Sequence, residues 1–498
     1  MEGYETIQKE MQVRVEYYVQ HYILPLIGYT IDDCKNASFL FNEKDEHCDI
    51  KTTYIFDESN YFFSCTIKTI NDANKSANKK IFKDLLLDYM LFEKNSKAYI
   101  PFKKEEPPFY QSIYRYMIEK GICRWINPDE EIRNKIEKLI KTLEDWSVKT
   151  YEGHHVCYGF AIDLDCKEKT DRNDYHKSFM DFLDDEYSAV LSDGFSSLIK
   201  LDQNCNFIDY LSLTKGGSIA GCKVGNKLPY RFVQLIDKYI AGNVIGVFLL
   251  QNGDIIISKE KEIKFIKRNN KWLNFSASSF TKSIQNNTNK PFDTDKLDDV
   301  YVAALDVSLA HSGGIIAVVD YKKFKEDNII NRIDDLNIKS EEAELFFAEF
   351  KEKIEKMELK SENKAEIEIF IKEKNKIGLR QYMDDENISE LNVLNHEIIK
   401  RMTKRNILMQ LLGNGEKFTD MDHKLRTELI GMDGACIVDL DFNIISFGAI
   451  ICNDAGSSGG GRAAAAKKLS CFDGFSIKIS TDGYIEVYVK GEKVYSIK

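Results

Sequence analysis

Residues 425–449 read LRTELIGMDGACIVDLDFNIISFGA. LRTELI has helix-forming residues at helical spacing, and Gly431 closes it. Asp433-Gly434 follows, and then DGACIVDLDFNIISFGAII predicts two strands joined by a polar turn. A helix that feeds an Asp-Gly pair into an apolar strand belongs to an α/β fold. Upstream, VYVAALDVSLAHSGGIIAVVD (300–320) reads as a strand pair. A long charged helical stretch follows, from about Ser340 to Leu412, with Gly378 its lone glycine. Its mixed Lys/Glu pattern fits a solvated helix face and not a nucleic-acid patch. Downstream, Gly456 to Arg462 is a Gly-rich loop, Ala463 to Ser470 a short helix, and FSIKISTDGYIEVYVKGEKVYSI a strand pair. Residues 296–498 therefore read as one α/β domain with a helical insert at about 335–412.

The same pattern occurs earlier. SDGFSSLIKLDQNCNFIDY (192–210) parallels MDGACIVDLDFNIISFGA (432–449). VCYGFAIDL parallels GGIIAVVDY, and VIGVFLLQNGDIIISKEKEIKFI parallels FSIKISTDGYIEVYVKGEKVYSI. Three matches in one order predict one α/β unit used twice. Residues 149–285 are the first, diverged unit, with turns at Asn252-Gly253 and Asn269-Asn270. It keeps Asp193-Gly194 but has no Gly-Gly-Gly-Arg loop. GGSIAGCKVGNKLPYRF stands there instead, with Pro229 where a helix would begin and Arg231 a faint counterpart of Arg462. Ser276 to Asp298 is polar and reads as a linker. Residues 1–148 alternate strand-like runs (52–56, 61–67) with helix-like ones (80–93, 130–146), and predict an α/β accessory domain. The expected fold class is α/β: a duplicated unit with a mixed central sheet flanked by helices, plus that N-terminal domain.

Composition narrows the functions. At 498 residues, 43% hydrophobic and 12% aromatic, the chain can build several packed cores, which excludes global disorder. A net charge of −11 makes it a poor general binder of nucleic acid or membrane surface. No apolar run approaches a membrane span, and the charged Met1 to Glu10 stretch has no apolar signal region. The 11 cysteines form no CxxC pair and read as reduced cytoplasmic thiols. His154 and His155 are adjacent, so on a strand they face opposite ways and make a poor ligand pair.

Three features of the second unit can carry chemistry. Asp433 precedes Gly434 and Ala435 at a strand start, where a carboxylate can hold a divalent metal ion or orient a hydroxyl. Asp-Gly is also an ordinary turn pair. Ser457, Ser458, Gly459, Gly460 and Gly461 lead through Arg462 into a helix. Backbone N–H groups there cradle phosphate, and an Arg can bind it bidentately. Such a loop also serves as a flexible connection. Ser480 ends the strand FSIKIS before the Asp482-Gly483 turn, where surface polarity alone would also place a serine.

In this order, HSGGIIAVVD (311–320), LRTELIGMDGACIVD (425–439), SGGGRAAAA (458–466) and IKISTDGYIEV (477–487) resemble the diadenylate cyclase family. That family's domain runs through an HDGAVII-like segment, a GTRHRAA loop and helix, and VVSEETG-like strands. The resemblance covers about 200 residues of the second unit and is fainter over the first. It implies a nucleotidyltransferase that condenses two nucleoside or deoxynucleoside triphosphates, ATP in the family, with release of pyrophosphate. The product is a cyclic or linear dinucleotide second messenger. Asp433 matches the family's metal-binding Asp near the attacking 3′-hydroxyl, so Mg²⁺ or Mn²⁺ is the expected cofactor. Gly434 and Ala435 complete that motif, and Ser480 matches a phosphate-contacting serine. Arg462 matches the last residue of the Arg-His-Arg triplet, whose first two positions are Gly460 and Gly461 here. Face-to-face cyclase domains imply a homo-oligomer. The Gly-Gly-Gly-Arg loop resembles components of bacterial antiviral nucleotide signalling, which implies a cytoplasmic protein with an effector partner. Loss of the triplet's first two residues supports an alternative, a nucleotide or dinucleotide sensor without turnover.

Overall fold

In the computed structural model the described residues are mainly 13–27, 38–43, 53–58, 61–66, 108–166, 186–213, 228–326, 361–372, 380–389, 417–451 and 460–497, with shorter pieces between. The first large sheet consists of β1 (Tyr158–Asp163), β2 (Ser197–Leu201), β3 (Phe207–Ser212), β4 (Val244–Leu249), β5 (Ile255–Lys259), β6 (Glu262–Arg268) and β7 (Lys271–Leu273). The second contains β8 (Gly314–Val319), β9 (Ala435–Asp439), β10 (Ile444–Ile451), β11 (Phe475–Ile479), β12 (Ile485–Val489) and β13 (Glu492–Ile497), with two short strands beside β10. The helices named below are α1 (Pro108–Ile126), α2 (Glu130–Ser147), α3 (Tyr230–Tyr239), α4 (Ala277–Asn287), α5 (Thr294–Leu309), α6 (His423–Ile430) and α7 (Gly461–Leu469). A separate three-stranded antiparallel sheet spans Ser38–Glu43, Thr53–Glu58 and Tyr61–Thr66. The protein is thus α/β, with mixed sheets flanked by helices.

The first sheet runs β7-β6-β5-β4-β1-β2-β3, and the second runs β13-β12-β11-β8-β9-β10. β1 and β2 are parallel, as are β8 and β9; the other pairs in both sheets are antiparallel. Local detail repeats as well. In the β2–β3 turn, Asp202 accepts the N–H groups of Asn204 and Asn206 and the Asn206 amide. In the β9–β10 turn, Asp439 accepts those of Asp441 and Asn443 and the Asn443 amide. Each carboxylate holds its turn in a conformation that puts one residue, Cys205 or Phe442, at positive φ.

The layers alternate. One face of the first sheet (Tyr158, Phe160, Val247, Ile257) packs on α1, α2 and the 13–27 segment. Its other face (Ala161, Leu198, Phe248, Ile256) shares a core with α3, α4, α5 and the inner face of the second sheet (Ile316, Val318, Val438, Ile477). The outer face of the second sheet (Ile315, Ala317, Ile437) is covered by Ala465, Ala466 and Leu469 of α7. Alternate residues of β8 therefore enter different cores, the period-2 rule applied to a strand buried on both sides.

Three expectations are corrected. The first half of the 300–320 run is not a strand but α5, capped by Asp293, whose carboxylate accepts the Asp295 N–H. Buried between two sheets, it is apolar on nearly every side, so its sequence loses helical periodicity. The Ser276–Asp298 stretch is not a linker. It holds α4, with Ser276 accepting from the Ser279 N–H, and the start of α5. The predicted C-terminal strand pair is three strands, β11 to β13. The helical reading of 340–412 lies largely outside the described residues; Ser361–Lys372 within it is helical. Among the described residues no helix is long and apolar enough to cross a membrane.

Candidate functional site

Strand direction gathers the site. β8 and β9 are parallel neighbours, so both begin at one edge of the second sheet. Their register pairs Ile316 with Cys436, which carries Gly313 level with Asp433. β11 runs antiparallel to β8 and pairs Ile479 with Gly314, so Ser480 arrives at the same edge. α7 begins there too. A Cβ built on Gly313 would fall 2.7 Å from Arg462 Nη1 and 3.2 Å from the Thr481 nitrogen. Gly313, at φ +69°, thus leaves room for the guanidinium between β8 and the Ser480 turn.

Arg462 Nη2 lies 3.7 Å from Asp433 Oδ1. The Asp433 side chain is 96% exposed and that of Arg462 36%, so the pair contributes little to stability. Gly434 has a packing reason of its own. At φ +103°, an added Cβ would stand 2.4 Å from the Gly448 carbonyl carbon. Ala435 is buried against α7. Gly460 is the N-cap of α7 at φ 81°, with no side chain capping the helix. Ala463 and Ala464 donate back to the Gly460 carbonyl; among the described residues the Gly461 and Arg462 N–H groups, the other donors of the first turn, meet no acceptor. A Cβ at Gly460 or Gly461 would meet nothing within 4 Å, so this end opens to solvent. Ser480 Oγ accepts the Tyr484 N–H at 3.1 Å, which leaves its proton to donate. Asp433, Gly434, Ala435, Gly460, Gly461, Arg462 and Ser480 therefore share one edge. Ser457, Ser458 and Gly459 lie outside the described residues.

An Arg at the positive end of its own helix is disfavoured by about 0.3–1 kcal/mol. Here it stands beside orphan N–H donors. An anion at this edge would meet the N–H groups, the guanidinium and the Ser480 hydroxyl together. Asp433 and phosphate oxygens are the hard donors Mg²⁺ or Mn²⁺ takes, since such ions bind through one or two carboxylates plus substrate phosphates and water. Asp433 thus fits the expected metal as its single protein ligand. Among the described residues no three His, Cys, Asp or Glu side chains cluster around it or elsewhere.

Around Asp193 and Arg231, the residues expected to correspond to Asp433 and Arg462, the arrangement differs. Asp193 Oδ1 accepts the N–H groups of Phe195, Ser196 and Ser197, and Oδ2 accepts the Ser196 hydroxyl. Partial burial pulls its carboxyl up, but the Ser196 hydroxyl and those N–H groups hold it below the usual range. Arg231, the second residue of α3 as Arg462 is of α7, stacks over the Phe195 ring at 4.2 Å. The first N–H of α3, on Tyr230, donates 2.9 Å to Asp306 Oδ1 from α5. The helix end that is open in α7 is therefore closed in α3 by the protein's own carboxylate.

Gly313 and Asp306 were missed in the sequence. Gly313-Gly314 before an apolar strand was a usable signal for a close approach. Asp306 was hidden by the strand reading of α5.

Comparison with protein-family models, curated proteins and solved structures found no match to this chain.

Proposed function

We propose that the chain carries two copies of one diadenylate-cyclase-like α/β unit, and that the second is a nucleotidyltransferase centre. It joins two nucleoside or deoxynucleoside triphosphates into a cyclic or linear dinucleotide and releases pyrophosphate. The observation that carries this reading is the asymmetry between the copies. Matching strand orders support the duplication. At matching helix ends, α3 is closed by Asp306 and by the Arg231–Phe195 stack, while α7 keeps open donors, Arg462 and an exposed Asp433.

In this reading the 3′-oxygen of one nucleotide attacks the α-phosphorus of another. An O–P bond forms, the bond to pyrophosphate breaks, and the hydroxyl proton leaves to solvent. The Gly461 and Arg462 N–H groups and the Arg462 guanidinium hold phosphate oxygens as charge develops. The Ser480 hydroxyl donates to phosphate, and Asp433 orients the attacking hydroxyl. Mg²⁺ or Mn²⁺ held by Asp433 would neutralise phosphate charge. The second nucleotide comes with a second chain, which makes the active form a homo-oligomer, and the product addresses an effector in bacterial antiviral signalling.

A second reading is a nucleotide or dinucleotide sensor. The bare Gly460 and Gly461 favour it, since no second cation stands beside Arg462 among the described residues. Incubation with Mg²⁺ or Mn²⁺ and each labelled triphosphate separates the two, with pyrophosphate and dinucleotide as the readout. Product that disappears in Asp433→Asn supports the enzyme. Nucleotide binding without product, unchanged in Asp433→Asn, leaves the sensor.

A further inference from the structure

A cavity of about 310 Å³ lies between the 13–27 segment, α1, β7 and the end of β13. β13 is four strands from β9, roughly 19 Å at 4.8 Å per strand. None of the cavity's lining belongs to the Asp433 edge.

Its chemistry differs from the rest of the surface. The chain has 80 acidic residues against 69 Lys and Arg, yet among the described residues no Asp or Glu lines this cavity. Arg115 and Lys271 do. Arg115 Nε is buried and hydrogen-bonded to nothing. Lys271 is exposed beside the Asn269-Asn270 turn. Two cations on one concave wall can meet an anion there despite the net charge of −11.

The remaining wall mixes aliphatic and polar side chains with the aromatic rings of Tyr17, Tyr22, Trp272 and Tyr495. These rings are held in place. Trp272 Nε1 donates to Glu119 Oε2 at 3.3 Å, and Tyr17 packs on Tyr114 of α1 at 6.2 Å. The Asn274 amide donates 2.6 Å to the Leu26 carbonyl, which ties the 13–27 segment to β7. Burial pushes His21 in the same wall down, so it adds no charge at neutral pH. Small-molecule sites span about 300–1,000 Å³ and join aromatic walls to a few polar groups. At the low end of that range, this cavity suits one ring system and one acidic group.

We propose that the cavity is a second ligand site, for a small aromatic anion of the nucleoside monophosphate class. The base stacks on Trp272 and the tyrosines, and the phosphate meets Arg115 and Lys271. The site stands or falls independently of the nucleotidyltransferase reading.

The test is calorimetric titration of the full-length protein with AMP, adenosine, inorganic phosphate and 4-hydroxybenzoate. AMP should bind roughly tenfold or more tightly than adenosine or phosphate, because ring and charge must act together. Arg115→Gln and Lys271→Gln should each weaken AMP several-fold. Lys271 is exposed, so its variant tests the charge without endangering the fold. If 4-hydroxybenzoate binds in place of AMP with the same dependence on Arg115 and Lys271, the aromatic-anion site stands with a carboxylate as its ligand. The proposal is overturned if neither compound binds at about 5 mM. It also fails if both Gln variants bind AMP like the wild type.

Discussion

Arg268 is the most connected side chain between the two sheets, and replacing it with methionine tests the packing of the two units. Arg268 is 0% exposed and Asp254, its partner, 3%. Its Nε donates to both Asp254 oxygens at 3.1 and 2.9 Å, and Nη2 donates at 2.6 Å. Nη1 donates to the Ser308 hydroxyl at 3.0 Å and to the Gly483 carbonyl, so one guanidinium joins β6, α5 and the β11–β12 turn. Arg268→Met leaves a buried carboxylate and a carbonyl without their main donor. Breaking a buried pair from one side costs about 3–5 kcal/mol. The assay is urea denaturation of Arg268→Met, Asp254→Leu and the double variant. The double should lose at least about 2 kcal/mol less than the two singles together, since an apolar pair leaves no lone charge. Acid supplies a second check. Burial alone would push the Asp254 carboxyl up, but hydrogen bonds from His311 and Arg268 hold it low. In the wild type this stabilisation is complete above the unfolded carboxyl value of about 3.9, and fades as pH falls through the lower folded value. In Arg268→Met burial is far less opposed, so the carboxyl rises. The variant's deficit should then shrink as pH falls toward the unfolded carboxyl value of about 3.9, because the stranded carboxylate takes up a proton above it. A loss below about 1 kcal/mol, or additive singles, would refute the reasoning.

Asp193→Ala and Asp433→Ala should separate stability from binding. The first removes the acceptor of three N–H groups and should cost about 1 kcal/mol in thermal or urea unfolding, a loss that fades below about pH 4 because Asp193 is held low in the fold. The second removes an exposed side chain and should change stability by less than about 0.5 kcal/mol, while weakening nucleotide binding in calorimetry. Gly434→Ala should lower the melting temperature more than Gly460→Ala. Both glycines hold positive φ, but only at 434 does a Cβ meet backbone, at 2.4 Å, where little can move.

The turns were the most legible part of the sequence. Asn252-Gly253 and Asn269-Asn270 join hairpins as read, and Asn269 and Asn270 take φ 49° and 59°. Turn chemistry is local, so it survives without knowledge of the partners. The strands starting at Ser197, Ala435 and Phe475 were legible because their apolar runs are short and bounded by glycine or polar turns. α5 was not, because its 300–309 part is buried on nearly every side and its apolar run reads like a strand. Of the candidate site, Asp433 and Arg462 stood out by residue type. Their proximity is a matter of strand direction, and Gly313 joins them only once β8, β9 and β11 are aligned.

The comparison of α3 with α7 gives the anion reading its weight. A helix N-terminus favours a negative charge by about 0.3–1 kcal/mol, and up to ~2 kcal/mol when partly buried. α3 has such a charge built in, since the Asp306 carboxylate from the next unit accepts its first N–H. Its Arg231 is occupied over Phe195, and its Asp193 is spent on its own turn. Nothing at that end calls for a ligand. α7 has the opposite arrangement: no capping side chain, a cation at the second position, and a carboxylate facing solvent. Each of these features is neutral or slightly unfavourable for the empty protein. All three turn favourable when a phosphate with its counter-ion occupies the edge, because the phosphate supplies to α7 what Asp306 supplies to α3. Gly461→Glu, at an ordinary φ and with open space around its Cβ, should therefore stabilise α7 and weaken nucleotide binding together, whereas Gly461→Lys should do neither.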